Sequence, residues 1–210
     1  MYALIRREIQ DNALFFMGAV VLSAVLIALA IGTLDSHRWI EKAALDSGAG
    51  AIVLPIVVLG FFAMGAVQMD TDKIRKISAF MMTLPTSRNR ILLAKIIAGV
   101  LAILTALVPL AIAVTILLRI HAPPIPIYFT MVIEVFAGTF LAGFACYCLG
   151  LQAGWNSRRI VATFSGLGLT CILVTLILIK GFDREIMVIL SAFIVAVLIR
   201  TWHLFTSTSL

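Results

Sequence analysis

Apolar residues run through this chain in long blocks, broken by short polar stretches. Six blocks stand out, at about 13–34, 49–69, 91–118, 127–151, 160–180 and 186–204. A helix needs ~20 apolar residues to cross a hydrocarbon layer ~30 Å thick. The pattern therefore predicts an all-α integral membrane protein: six transmembrane helices in a single transmembrane domain, residues 1–210. The last block is the weakest, because its uninterrupted apolar core is only Ile186–Ile199. It must borrow Thr201, Trp202 and Leu204 to reach across. Arg200 would then snorkel to the headgroups, and Trp202 would join an aromatic belt.

The polar stretch between the second and third blocks has a pattern of its own, KIRKISAFMMTLPTSRNR, Lys73 to Arg90. Ile74, Ile77, Met81 and Leu84 recur at spacings of three and four, with Phe80 beside them. This is one apolar stripe on a helix over about 72–84. Lys73, Arg75 and Lys76 lie largely off the stripe. Asp70 and Asp72 sit near the start, where carboxylates suit the positive end of the helix dipole. Pro85 stops the helix, and Thr86 or Ser87 can cap the next one. Two readings follow. The segment is either an interfacial helix held by anionic lipid or a docking element that plugs into a soluble partner. Periodicity does not choose between them.

Composition sharpens the membrane reading. The chain is 62% hydrophobic and 12% charged, with mean hydropathy +1.14, against about 45–50% and about 25% in soluble domains. The formal net charge of +6 then reports orientation rather than nucleic-acid binding. Arg6, Arg7, Lys73, Arg75, Lys76, Arg88, Arg90, Arg158, Arg159 and Arg200 fall in one set of inter-block segments. They outnumber Arg38, Lys42, Arg119, Lys180 and Arg184 in the alternate set. Lys95 lies just inside the third block and belongs to neither set. By the positive-inside rule both termini and the Lys73–Arg90 segment should be cytoplasmic, and the expected location is a plasma (inner) membrane. Ala28-Leu29-Ala30 resembles a leader cleavage site after Arg6 and Arg7, but the block at 13–34 is long enough to be a span. The outer loops are short, and His121–Tyr128 is stiffened by Pro123, Pro124 and Pro126.

The stretch MDTDKIRKISAFMMTLPTSRNRILLAK, Met69 to Lys95, resembles the type-2 ABC transporter membrane-subunit family. The shared order is an acidic start (Asp70, Asp72), Leu84-Pro85, Ser87-Arg88, and Ile91, Leu92 and Lys95 opening the third span. The resemblance implies a permease of an ATP-driven exporter, with the segment after the second span acting as a coupling helix. Asp72, Lys73, Ile74, Arg75, Lys76, Ile77, Phe80 and Met81 would then meet a separate ATPase subunit. Ile74, Ile77 and Phe80 would be the anchors, and the basic residues a charged rim. Tyr2–Gln10 looks like that family's in-plane connecting helix (about 2–11 here), with Leu4, Ile5 and Ile9 as its apolar edge. Two copies, or one copy plus a related permease, would enclose the substrate path. A re-entrant segment before the last span, common in larger relatives, has no room between Gly181 and Glu185.

The remaining chemistry is sparse. No G-x-x-x-x-G-K-[ST] loop occurs, so ATP and magnesium would be bound by the partner and the chain is not an enzyme alone. His37, His121 and His203 lack metal-ligand spacing, and no cofactor or metal is expected. Cys146, Cys148 and Cys171 lie in apolar blocks and read as small core hydrophobes. No Ser-His pairing or G-x-S-x-G elbow appears. Glu134 is the one acid inside a block. It either sits near the outer interface, pairing with Lys180 or Arg119, or faces a substrate path and attracts a cationic group. Gly150 and Gly154, with Gly60, Gly65, Gly138 and Gly143, read as close helix packing, and Pro55 as a kink in the second span. An apolar path suits peptides, lipids or amphipathic drugs. The alternative function is an ATP-independent secondary transporter, which such folds often build from internal repeats. No repeat is evident here, and buried groups for a membrane-embedded enzyme are not found.

Overall fold

The computed structural model describes residues 2–34, 55–71, 88–121, 126–155, 160–181 and 183–207. Among them the chain is helical throughout, apart from short connectors. The helices are α1 (Tyr2–Asp11), α2 (Ala13–Leu34), α3 (Pro55–Thr71), α4 (Arg88–His121), α5 (Pro126–Trp155), α6 (Ile160–Lys180) and α7 (Arg184–Ser207). The expected coupling helix at 72–84 lies outside the described residues, as do Arg38, Lys42, Arg158 and Arg159.

Four helices are individually long and apolar enough to cross a membrane, namely α4, α5, α6 and α7. A fifth span is available if α1 and α2, which meet at an angle of 66°, are taken as one broken element. The α3 helix is described over Pro55–Thr71, and the residues before Pro55, needed to judge the expected kink there, lie outside the described ones. This architecture makes the chain an all-α protein of the membrane-spanning kind. Its outer surface agrees. Leu14 is 80% exposed, Ile179 77% and Phe164 71%. Such side chains on the outside of long helices suit lipid and not water.

The bend between α1 and α2 is made by Asn12. Its backbone N–H donates to the Glu8 carbonyl at 3.1 Å, and its side-chain amide donates to the same carbonyl at 2.8 Å. Its own carbonyl accepts from Phe15 at 2.9 Å and Phe16 at 3.3 Å. One buried residue thus closes the last turn of α1 and opens the first turn of α2.

The core lies around α5. Helices α6, α7 and α4 pack on it, while α1 and α2 pack on α4. The α3 helix reaches α5 at backbone distance. A Cβ on Gly150 would collide with the Phe62 carbonyl, one on Gly154 with the Ala66 carbonyl, and one on Gly65 with the Tyr147 carbonyl. Small residues at a helix interface permit this approach. The glycine spacing in α5 therefore serves packing inside the chain. Across the next groove, Gly99 on α4 leaves room for the Tyr147 ring. Phe140, Phe144 and Tyr147 stack in series along α5, with centroids 6.1 and 6.4 Å apart.

Candidate functional site

Close packing of α1, α3, α4 and α5 brings four polar side chains into the apolar interior at one end of the bundle. Each comes from a different helix. Glu8 is on α1, Gln68 is one turn before the end of α3, Lys95 is two turns into α4, and Tyr147 is on α5. All are buried, and Lys95 and Tyr147 are among the largest fully buried side chains.

The Lys95 ammonium bridges both carboxylate oxygens of Glu8, at 3.2 Å to Oε1 and 3.3 Å to Oε2. It also donates to the Gln68 backbone carbonyl at 3.4 Å. Gln68 Nε2 donates to Glu8 Oε2 at 2.9 Å. The Tyr147 hydroxyl lies 2.6 Å from Gln68 Oε1 and 2.7 Å from the Lys95 carbonyl. It carries one proton and faces two acceptors, so it donates to one at a time or shares the proton between them. The Gln68 amide N–H₂ faces the Glu8 side chain, where it donates to Oε2. The Gln68 Oε1 atom is then turned toward the Tyr147 hydroxyl.

Isolated charges in an apolar interior are too costly to persist, so each partner here depends on the other. The arrangement cross-links four helices that are distant in sequence. It also fastens both flanks of the 72–87 segment, because Gln68 lies in the last turn of α3 and Lys95 two turns into α4. A fifth element joins at the same end, where Trp202 Nε1 on α7 donates to Asn89 Oδ1 on α4 at 3.0 Å. Trp202 is half exposed there, as an interfacial tryptophan would be.

The residues expected from sequence fall differently. Asp72, Lys73, Ile74, Arg75, Lys76, Ile77, Phe80 and Met81 lie outside the described residues. Glu134 is on the exposed face of α5, toward the end opposite the Glu8–Lys95 pair, about 12 Å along the helix from Pro126. It pairs with neither Arg119 nor Lys180 among the described residues. Leu4, Ile5 and Ile9 are half-buried, and the side chain buried among them is Glu8. No group of histidine, cysteine, aspartate or glutamate among the described residues has the arrangement of a metal site.

Sequence reasoning missed Glu8, Gln68 and Tyr147 as a site and took Lys95 only as part of a motif. A signal was present. Lys95 falls on the helical stripe of Leu92, Ala98, Ala102 and Ile103, and Glu8 falls one turn from Leu4 and Ile5. Two opposite charges on apolar faces near the same membrane edge are each unfavourable alone and favourable together.

Fold and site together define an all-α protein with several helices able to span a membrane and a buried ionic clamp near one end. Comparison with protein-family models, with curated proteins and with solved structures returns no match.

Proposed function

We propose that this chain is the permease subunit of an ATP-driven exporter of the type-2 ABC kind. In this reading the six spans are α2, the apolar block at 49–69 to which α3 belongs, and α4 to α7, and α1 lies in the plane of the membrane. Both termini face the cytoplasm in a plasma (inner) membrane. The segment at 72–84 is the coupling helix that meets separate ATPase subunits, which bind ATP and magnesium. A second copy or a related permease completes the substrate path, and the cargo is an amphipathic peptide, lipid or drug.

The observation that supports this reading is the Glu8–Gln68–Lys95–Tyr147 cluster. A coupling helix must pass a push from its partner into the spans without losing it in slack. The cluster ties α1, the end of α3, the start of α4 and α5 together beside that segment. A displacement delivered between Thr71 and Arg88 would therefore move four helices as a unit.

The test is co-purification of the chain from its native membrane, wild type beside Ile77→Asp and Phe80→Asp. Wild type is expected to carry an ATPase identified by mass spectrometry and by ATP hydrolysis, and both variants to lose it. An ATPase retained equally by all three, or absent from folded wild type, removes the coupling role. A second reading has one observation in its favour. Buried ionisable groups in membrane proteins also serve ion-coupled carriers, and Glu8–Lys95 is a buried ionisable pair. Transport that persists without an ATPase and stops with an ionophore would select it.

A further inference from the structure

Helices α6 and α7 follow one another across a short turn, yet each packs on α5 and little on the other. The gap between them is a cleft of about 340 Å³ at the end of the bundle where α1 lies. It is larger than a few waters require and falls within the ~300–1,000 Å³ of ligand sites. Its lining follows helical faces: Leu149, Gln152 and Ala153 on α5, Ser165, Gly166 and Leu169 on α6, and every third or fourth residue of α7 from Phe193 to Leu204. Gly166 forms its floor, since a Cβ there would come within 3.2 Å of the Phe62 ring and 3.4 Å of Ala153.

Two groups make this more than an apolar groove. Arg200 lines it, is exposed, and forms no ion pair with any described residue. Gln152 lines it too, half-buried, with no hydrogen-bond partner among the described residues. A cation and an amide thus face a cleft walled by Leu169, Phe193 and Leu204. Trp202 marks this level as the membrane edge through its bond to Asn89. Basic clefts between spanning helices at such an edge suit anionic headgroups.

We infer that the α5–α6–α7 cleft is a binding site for an anionic phospholipid, with the phosphate on Arg200 and Gln152 and an acyl chain between α6 and α7. The charge selects phosphate, and the apolar walls select a lipid over a free phosphate ester. The site is independent of the coupling role proposed above, and its test needs no ATPase.

Native mass spectrometry of the full chain in detergent reads this directly, with dioleoyl phosphatidylglycerol, dioleoyl phosphatidylcholine and glycerol 3-phosphate added separately. Wild type is expected to retain one phosphatidylglycerol about five-fold more tightly than phosphatidylcholine, the scale of one interfacial cation. Arg200→Gln should abolish that preference at unchanged melting temperature, and Arg200→Lys should keep most of it. Ala196→Phe, which fills the cleft, should lower retention of both lipids. Equal retention of the two lipids by wild type, or a preference that survives Arg200→Gln, overturns the proposal. Glycerol 3-phosphate binding as tightly as phosphatidylglycerol also overturns it, because the lipid tail would then contribute nothing.

Discussion

Replacing Lys95 by methionine keeps the length of the side chain and removes its charge, so Glu8 is left with Gln68 as its remaining partner in the cluster. The Lys95 side chain is 1% exposed and that of Glu8 8%, so water cannot take the place of the ammonium. Removing one member of a buried pair costs about 3–5 kcal/mol, and Lys95→Met is expected in that range. Glu8→Gln strands the lysine and should cost a similar amount. The double variant Glu8→Gln, Lys95→Met leaves no charge, and the new amide still accepts from Gln68 Nε2. It should fall no more than ~2 kcal/mol below wild type, far short of the sum of the singles. The assay is reversible unfolding in detergent across this cycle, with hydrogen exchange of Tyr2–Asp11 alongside. Exchange in α1 should rise in each single variant, since Glu8 is its deepest anchor, and subside in the double. Singles costing under ~1 kcal/mol, or effects that add within ~0.5 kcal/mol, would refute a desolvated pair.

Other outcomes are fixed by the same geometry. Tyr147→Phe removes the hydroxyl that donates to Gln68 Oε1 or the Lys95 carbonyl and should cost ~1–2 kcal/mol in the same unfolding assay; no loss would mean the hydroxyl is not shared between its two acceptors. Gly150→Val and Gly154→Val push a side chain into the Phe62 and Ala66 carbonyls and should each lower stability by ~1–3 kcal/mol or more. Gly168→Ala, with nothing within 4 Å, serves as the neutral control in that melt. Gly181 closes α6 with φ 74° and an N–H donated to the Ile177 carbonyl at 2.8 Å, so Gly181→Ala should cost ~1–2 kcal/mol while Gly181→Asn costs less. Under the proposed exporter reading, and not from the geometry, Glu134→Gln is expected to impair export of cationic substrates without harming assembly, and unchanged export would remove Glu134 from the path.

The helical class and the apolar blocks were legible because hydrophobic length is a local property. A run of apolar residues long enough to cross lipid must satisfy its backbone within itself, and a helix does that without reference to distant chain. The α4 to α7 helices follow from this alone. So does the weak last block, which continues past Ile199 through Trp202 as a helix ending at Ser207. The Met69–Lys95 motif was also a local pattern, with Lys95 at its end. It could not disclose which side chains meet there. Glu8 and Lys95 are 87 positions apart, and Gln68 and Tyr147 are 79 apart.

Which charges pair depends on how closely helices approach, and that rests on residues whose contribution is an absence of side chain. Gly65, Gly150 and Gly154 let α3 lie against α5, and Gly99 admits the Tyr147 ring. Only then do Gln68, Lys95 and Tyr147 come within hydrogen-bond reach, with Asn12 turning α1 inward to deliver Glu8. The same holds for the cleft between α6 and α7. No periodicity announces it, because it arises where two neighbours in sequence both prefer a third helix to each other. Sequence sets which residues must leave water; tertiary packing sets which of the few polar groups they carry along must find one another, since in an apolar interior an unpaired charge has no alternative.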